Sequence, residues 1–126
     1  MAVAIEHWHA LMDARDPGGL DDLIAEDCVF RSPAVHTPQI GKAITIKYLT
    51  AAQKVLGVPS FRYVEEWVGP NSAVLEFELD LDGIQVNGVD IIHWNDADKI
   101  ISFRVMIRPV KGLQAVMPAM AAVLAS

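Results

Sequence analysis

The segment Gly88–Trp94 holds a single carboxylate, Asp90, within a largely apolar strand pattern. Side chains alternate between the two faces of a strand, so Asp90 shares a face with Ile92 and Trp94. A buried acid must find a hydrogen-bond donor, for which the indole of Trp8 is one candidate, or become neutral through a raised pKa. Such a group is typical of a functional site, and equally of a structural acid capped by a donor.

Two further polar residues are candidates: Ser32 near the end of the predicted strand Cys28–Pro33, and His36 in the loop that follows it. His36 lies in a proline-bounded loop, and a histidine that reaches a pocket mouth can act as a general base near neutral pH. A surface histidine without a chemical role is the alternative interpretation.

Composition excludes several classes of partner. Sixteen acidic against ten basic residues give a formal charge of −6 without a basic cluster, which argues against nucleic acid or an anionic membrane as partner. His7 and His9 flank Trp8, but residues two apart on a helix do not face the same side, so they do not predict a metal pair. No phosphate loop, metal cluster or nucleophilic triad is recognisable, and we predict no metal and no cofactor.

The length and the cysteine content of the chain limit its domain organisation and the compartments that suit it. The 126 residues suit one domain over residues 1–126, and a hydrophobic content of 52% is enough for a full core. No apolar run is long enough to span a bilayer, and the N-terminus lacks the basic region of a signal peptide. Cys28 is the only cysteine, which excludes an internal disulfide and is typical of the reducing cytoplasm.

The hydrophobic period changes from helical to alternating along the chain. Helical spacing predicts helices near residues 3–15, after Asp16-Pro17, along the stripe from Ile44 to Val55, and along the stripe from Leu113 to Leu124. Alternation then predicts four strands: Phe61–Val68, Ala73–Leu81, Ile84–Trp94 and Ile100–Arg108. Helices followed by a meander of strands indicate an α+β fold. We expect the C-terminal helix to cover part of a pocket or a dimer seam.

Several short segments, in this order and spacing, carry a family resemblance: Asp16-Pro17 before Leu20 and Leu23, Ala25–Phe30, Gly41–Ile44, and Val89–Ile92 followed by Lys99-Ile100. The chain resembles the nuclear-transport-factor-2-like superfamily, which includes SnoaL-like polyketide cyclases, ketosteroid isomerases and scytalone dehydratases. The resemblance implies a cystatin-like fold: a cone-shaped, curved antiparallel sheet wrapped around N-terminal helices, with a C-terminal helix. It also implies an enclosed apolar pocket and a small dimer.

The ketosteroid isomerases within this superfamily need a carboxylate base, a tyrosine and a protonated acid. Their resemblance to this chain places Asp90 at the acid, Ser32 at the base and Trp8 at the tyrosine, so one of three parts is retained and steroid isomerisation by that mechanism is not expected. The cyclases carry a further acid on the last strand, where the inward positions here, Phe103, Val105 and Ile107, are all apolar.

The sequence therefore favours a pocket that binds a small, largely apolar, cyclic molecule, with Asp90 as the main polar contact. The predicted walls are Trp8, Tyr48, Leu75, Phe77, Trp94 and Phe103. An enzymatic form would perform cofactor-independent isomerisation, cyclisation or dehydration. In that form we expect Asp90 to act as acid or hydrogen-bond donor, His36 as base and Ser32 as an orienting group. The alternative is a non-catalytic protein-interaction module of the same fold. In either case we expect a homodimer through the outer sheet face, where Val74, Ile91 and Met106 mix with charged residues.

Overall fold

The structure is a computed structural model that describes residues 2–126. In chain order its elements are α1 (Val3–Ala14), a 3₁₀ turn (Pro17–Gly19), α2 (Leu20–Leu23), β1 (Ile24–Arg31), β2 (Gln39–Ile40), α3 (Lys42–Leu56), β3 (Arg62–Val68), β4 (Ser72–Leu81), β5 (Ile84–Trp94), β6 (Ile100–Arg108) and α4 (Val110–Ala125). The predicted α+β class, with helices first and a C-terminal helix, is confirmed.

The six strands form one open sheet in the order β2-β1-β6-β5-β4-β3. Neighbouring strands are antiparallel except β1 and β6, which run parallel. This parallel pair places the first long strand beside the last. The edge strands are therefore β2 and β3, and β3 pairs with β4 alone.

The inner face of the sheet carries the core. On β4, Leu75, Phe77 and Leu79 are buried and alternate with partly exposed Glu76 and Glu78, because one sheet face meets the helices and the other does not. The buried apolar residues fall into two clusters. One joins α1 and α3 to one part of the sheet, and the other joins α4 to the Phe77–Leu79 end.

One extra residue in β3 redirects its side chains. Tyr63 pairs with Phe77 and Glu65 pairs with Glu76, so the bulge is at Val64. Paired residues point to the same sheet face, which places Tyr63 and Glu66 together on the inner face. Without the bulge, alternation would point Glu66 outward and Trp67 inward. With it, Trp67 lies on the outer face and is 52% exposed.

Candidate functional site

A cavity of about 810 Å³ lies between the inner sheet face and helices α1, α3 and α4. Its wall combines residues of both core clusters, such as Phe103 from the first and Phe77 from the second. Both tyrosines and all four phenylalanines of the chain contribute to the wall, together with Trp8. Seven aromatic rings therefore form part of a largely apolar wall.

Asp90 is the buried acid of this wall. It lies on β5 between Leu75 of β4 and Val105 of β6, and is 7% exposed. Burial raises the pKa of its carboxyl group from the ordinary 3.8 to about 7, while the hydrogen bond from Tyr63 opposes that rise. Among the described residues, no lysine or arginine forms an ion pair with it. Near neutral pH, the protonated and the ionised forms of Asp90 are therefore both populated.

Tyr63 connects Asp90 to Trp8. The indole Nε1–H of Trp8 donates to the Tyr63 hydroxyl oxygen at 3.0 Å, and that hydroxyl donates to Asp90 Oδ2 at 3.0 Å. The direction is fixed because an indole N–H can only donate. Burial first, and then the charge of Asp90, hold the pKa of Tyr63 well above its ordinary value, so the hydroxyl keeps its hydrogen. The expectation that Trp8 donates directly to Asp90 is corrected: Tyr63 lies between them.

The carboxyl group of Asp90 keeps one side for a ligand. Tyr63 occupies Oδ2, and the residue still reaches the cavity surface. The Oδ1 atom has no hydrogen-bond partner among the described residues. Every fully buried side-chain nitrogen or oxygen of those residues has a partner, so Oδ1 is not fully buried and remains accessible from the cavity. A carbonyl oxygen that approaches from the cavity would accept a hydrogen bond from neutral Asp90.

Five of the other predicted site residues also lie on the cavity wall: Trp8, Ser32, Tyr48, Phe77 and Phe103. The Ser32 Oγ accepts a hydrogen bond from the Ala34 backbone N–H at 3.1 Å, and the ring of Tyr48 stacks on Phe30 at 5.1 Å.

Three predicted site residues lie away from the wall. Leu75 and Trp94 share the inner face with Asp90, but they pack into the first core cluster rather than against the cavity. His36 is exposed in the loop between β1 and β2 and does not line the cavity, so a role as base would require this loop to move.

Sequence reasoning missed Tyr63, although the alternation of Phe61 and Tyr63 in a predicted strand was a signal for an inward aromatic pair. The C-terminal helix lies where one of the two expectations put it. Residues of α4 that line the cavity are Leu113, Val116, Met117, Met120, Ala121 and Leu124. Methionines adapt to irregular surfaces, which suits a wall that has to fit a ligand.

Within residues 2–126, no helix is long and apolar enough to cross a membrane. The same part of the chain brings together no group of three or more His, Cys, Asp or Glu side chains that could hold a metal ion.

Comparison with known proteins places the chain in a family. The sequence model of the SnoaL-like domain matches residues 5–103. A solved steroid delta-isomerase from Pseudomonas aeruginosa is 35% identical, with a TM-score of 0.93 over 98% of this chain and 90% of that chain. A protein with a cystatin-like fold from Silicibacter pomeroyi is 27% identical, with a TM-score of 0.88 over 97% of this chain and 85% of that chain.

An NTF2-like protein from Mesorhizobium loti shares the fold, with 20% identity and a TM-score of 0.72 over 84% of this chain and 88% of that chain. No curated protein matches the sequence significantly. The resemblance to the nuclear-transport-factor-2-like superfamily is confirmed, and the chain belongs to the SnoaL-like domain family.

Proposed function

We propose that this protein binds a small, largely apolar, cyclic molecule and places a carbonyl or enol oxygen of that molecule on Asp90. The observation that carries the proposal is the position of Asp90: a buried carboxyl group on the wall of an 810 Å³ cavity, with Tyr63 on one oxygen and the cavity on its other side. A cavity of this size with few polar groups is typical of a small-molecule site.

The shape of the wall supports a ring-containing ligand. Phe61 and Phe77 stack at 5.4 Å on one part of the wall, and Phe30 stacks on Tyr48 at 5.1 Å on another. Flat aromatic faces favour contact with planar or nearly planar rings. The Asp90 carboxyl group supplies the polar contact that would orient such a ring system.

The pKa of Asp90 supports proton-transfer chemistry next to a carbonyl group. A neutral carboxyl group donates a hydrogen bond to a carbonyl oxygen, and the bond strengthens as negative charge develops there during enolisation. A pKa of about 7 lets the same group give or take a proton near neutral pH. The similarity to a steroid delta-isomerase supports an isomerase form of this chemistry.

The outer sheet face supports association as a second property, compatible with the first. Trp67 pairs with Val74, which pairs with Ile91, so that one apolar row crosses three strands on the face away from the cavity. We propose that this row is the centre of a homodimer interface. It is the feature of the described residues that best supports the interaction-module alternative.

Binding and α-hydrogen exchange test the ligand proposal together. The probes are 1-tetralone, a bicyclic ketone, and tetralin, the same skeleton without the carbonyl oxygen. We expect 1-tetralone to bind more tightly by about fivefold, which corresponds to one hydrogen bond of about 1 kcal/mol. Solvent D₂O or OD⁻ takes an α-hydrogen as a proton while neutral Asp90 donates its hydrogen bond to the carbonyl oxygen, and the enol is then deuterated at carbon. The protein should therefore accelerate the exchange of the α-hydrogens, which NMR follows.

The Asp90→Leu variant should bind both probes equally and lose the acceleration. Asp96→Asn is the matched control, because it changes an exposed turn carboxylate outside the cavity wall and should behave like the unchanged protein. Equal binding of the two probes by the unchanged protein would contradict the proposal.

A further inference from the structure

Tyr63 belongs to a strand that has few stabilising contacts. β3 is an edge strand that pairs with β4 alone, and most of its residues are exposed. The Tyr63 hydroxyl nevertheless has to meet Asp90 on β5, two strands away. Pairing with one neighbour leaves the other side of the strand free, so the position of this hydroxyl depends on what packs against β3.

Part of that packing comes from α1, beside the edge-on contact between the rings of Tyr63 and Phe61 at 5.2 Å. The ring of His9 lies edge-on against the ring of Tyr63, with centroids 5.1 Å apart. The His9 Nε2 atom lies 2.8 Å from Glu66 Oε1, and Trp8, the preceding residue, donates to the Tyr63 hydroxyl. Two adjacent residues of α1 therefore contact two residues of β3.

The bulge at Val64 makes this arrangement possible. Tyr63 and Glu66 point to the same face only because Val64 is an extra residue between them. A carboxylate only accepts hydrogen bonds, so the contact with Glu66 requires the His9 ring to carry its hydrogen on Nε2. The His9 and Glu66 side chains remain 27% and 34% exposed, and partly exposed ion pairs contribute little to stability.

We propose that the His9–Glu66 pair positions Tyr63: it holds β3 against α1, so that the Tyr63 hydroxyl lies between the Trp8 indole and the Asp90 carboxyl group. His9 is a positioning residue in this scheme and does not touch the ligand. The inference rests on the proposed function only in taking Asp90 as the ligand-contacting group. In this scheme the geometry of the buried site depends on a contact at the protein surface.

The test uses the ligand-free protein, so its outcome is independent of any probe. The signal is the indole N–H resonance of Trp8 in a ¹⁵N–¹H NMR spectrum, assigned with Trp8→Phe. His9→Ala should move this resonance upfield and speed its exchange with solvent, as Tyr63→Phe does, because the indole hydrogen bond is weakened. The melting temperature should fall by only a few degrees, since the pair is partly exposed.

Three further variants separate positioning from general stability. Glu66→Gln breaks the pair from the β3 side and should change the Trp8 signal in the same direction. His9→Gln, whose amide can donate to Glu66, should restore the signal at least in part. His7→Ala is the matched control, because His7 is the histidine on the other side of Trp8, and it should leave the Trp8 signal in place.

In the Tyr63→Phe background, His9→Ala should have no further effect on the Trp8 signal. An unchanged Trp8 signal in His9→Ala, or an effect that persists in full without the Tyr63 hydroxyl, would overturn the proposal. A changed signal together with equal binding of 1-tetralone and tetralin would instead contradict the proposed function and leave the positioning role intact.

Discussion

Tyr63 on β3 donates a hydrogen bond to Asp90 on β5 across the whole width of β4, at 3.0 Å. Neighbouring strands lie about 4.8 Å apart, so the tyrosine side chain, the hydrogen bond and the aspartate side chain together bridge about 10 Å over the sheet. The same hydroxyl accepts the indole hydrogen of Trp8. One side chain therefore satisfies a donor on a helix and an acceptor on a distant strand.

Replacing Tyr63 by Phe removes both hydrogen bonds. We expect the free energy of unfolding to fall by about 1–3 kcal/mol, because the Trp8 indole loses its acceptor in a buried setting. The pKa of Asp90 should rise further, since the Tyr63 hydrogen bond favours its charged form. Urea denaturation and a ¹³C titration of the carboxyl group measure the two effects.

Tyr48→Phe is the matched control for that change. It removes the hydroxyl of the other cavity tyrosine and keeps its stacking on Phe30. A lower Asp90 pKa in Tyr63→Phe, or an equal change in both variants, would show that Tyr63 does not stabilise the Asp90 carboxylate.

Asp90 should make stability fall as the pH rises. Its pKa is about 7 in the folded protein, above the ordinary 3.8, so the folded state binds this proton more tightly than the unfolded state. The resulting stabilisation is complete below about pH 4 and is lost between about pH 4 and pH 7, with a size on the order of 4 kcal/mol.

Asp90→Asn removes this titration, so its stability relative to the unchanged protein should rise through the same pH window. Urea denaturation at a series of pH values gives the difference. A difference that stays constant with pH, or a carboxyl signal that titrates near 3.8, would leave Asp90 as an ordinary structural acid.

Gly88 leaves room for the aromatic wall opposite it. A Cβ atom at this position would lie 2.5 Å from Cζ of Phe77 and 2.6 Å from the backbone oxygen of Met106. We expect Gly88→Ala to cost about 1–3 kcal/mol of stability, because the Phe77 ring can move towards the cavity but the β6 backbone cannot easily give way. Binding of 1-tetralone should weaken with it.

Gly69→Ala is the control for Gly88→Ala, since a Cβ atom there has its nearest neighbour at 3.4 Å, an ordinary contact. Calorimetric melting of the two variants compares them directly. Equal melting temperatures would show that the sheet accommodates the methyl group at Gly88 without strain.

Trp67→Glu should dissociate the proposed dimer. The indole is 52% exposed at one end of the apolar row formed with Val74 and Ile91, and a carboxylate there would be desolvated on association. Sedimentation velocity at micromolar concentration should show dimer for the unchanged protein and monomer for the variant. Val110→Glu, at a 71% exposed position of α4, is the control and should stay dimeric. A monomeric unchanged protein would contradict the proposed homodimer.

Most of the fold could be predicted from the sequence because its long strands alternate regularly. The predicted bounds of β5 and β6 agree with the structure, and those of β3 and β4 differ by one residue at their starts. The burial of Asp90 on the face of Ile92 and Trp94 follows from the same alternation and is confirmed.

The site was less predictable because it depends on contacts between distant elements. Nothing in the local pattern of β3 indicates that Val64 is an extra residue, so the face of Glu66 and Trp67 could not be read from alternation. Leu75 and Trp94 share a face with Asp90, but position along a strand decides whether a residue meets the cavity or the core. Tyr63 reaches Asp90 over a distance that sequence periodicity does not encode.

The extra residue at Val64 also has a hereditary consequence. Because side chains on a strand alternate with a period of two, loss of one codon between Tyr63 and Glu66 would turn the bulge into regular strand and leave Glu66 on the inner face and Trp67 on the outer face. The shortened strand would keep both the partner of His9 and the outward indole. A variant that straightened the strand at its present length would instead turn Glu66 and Trp67 over together. In descendants of this gene, the ligand site and the association surface therefore tolerate the loss of a residue at this point more readily than the loss of the bulge alone.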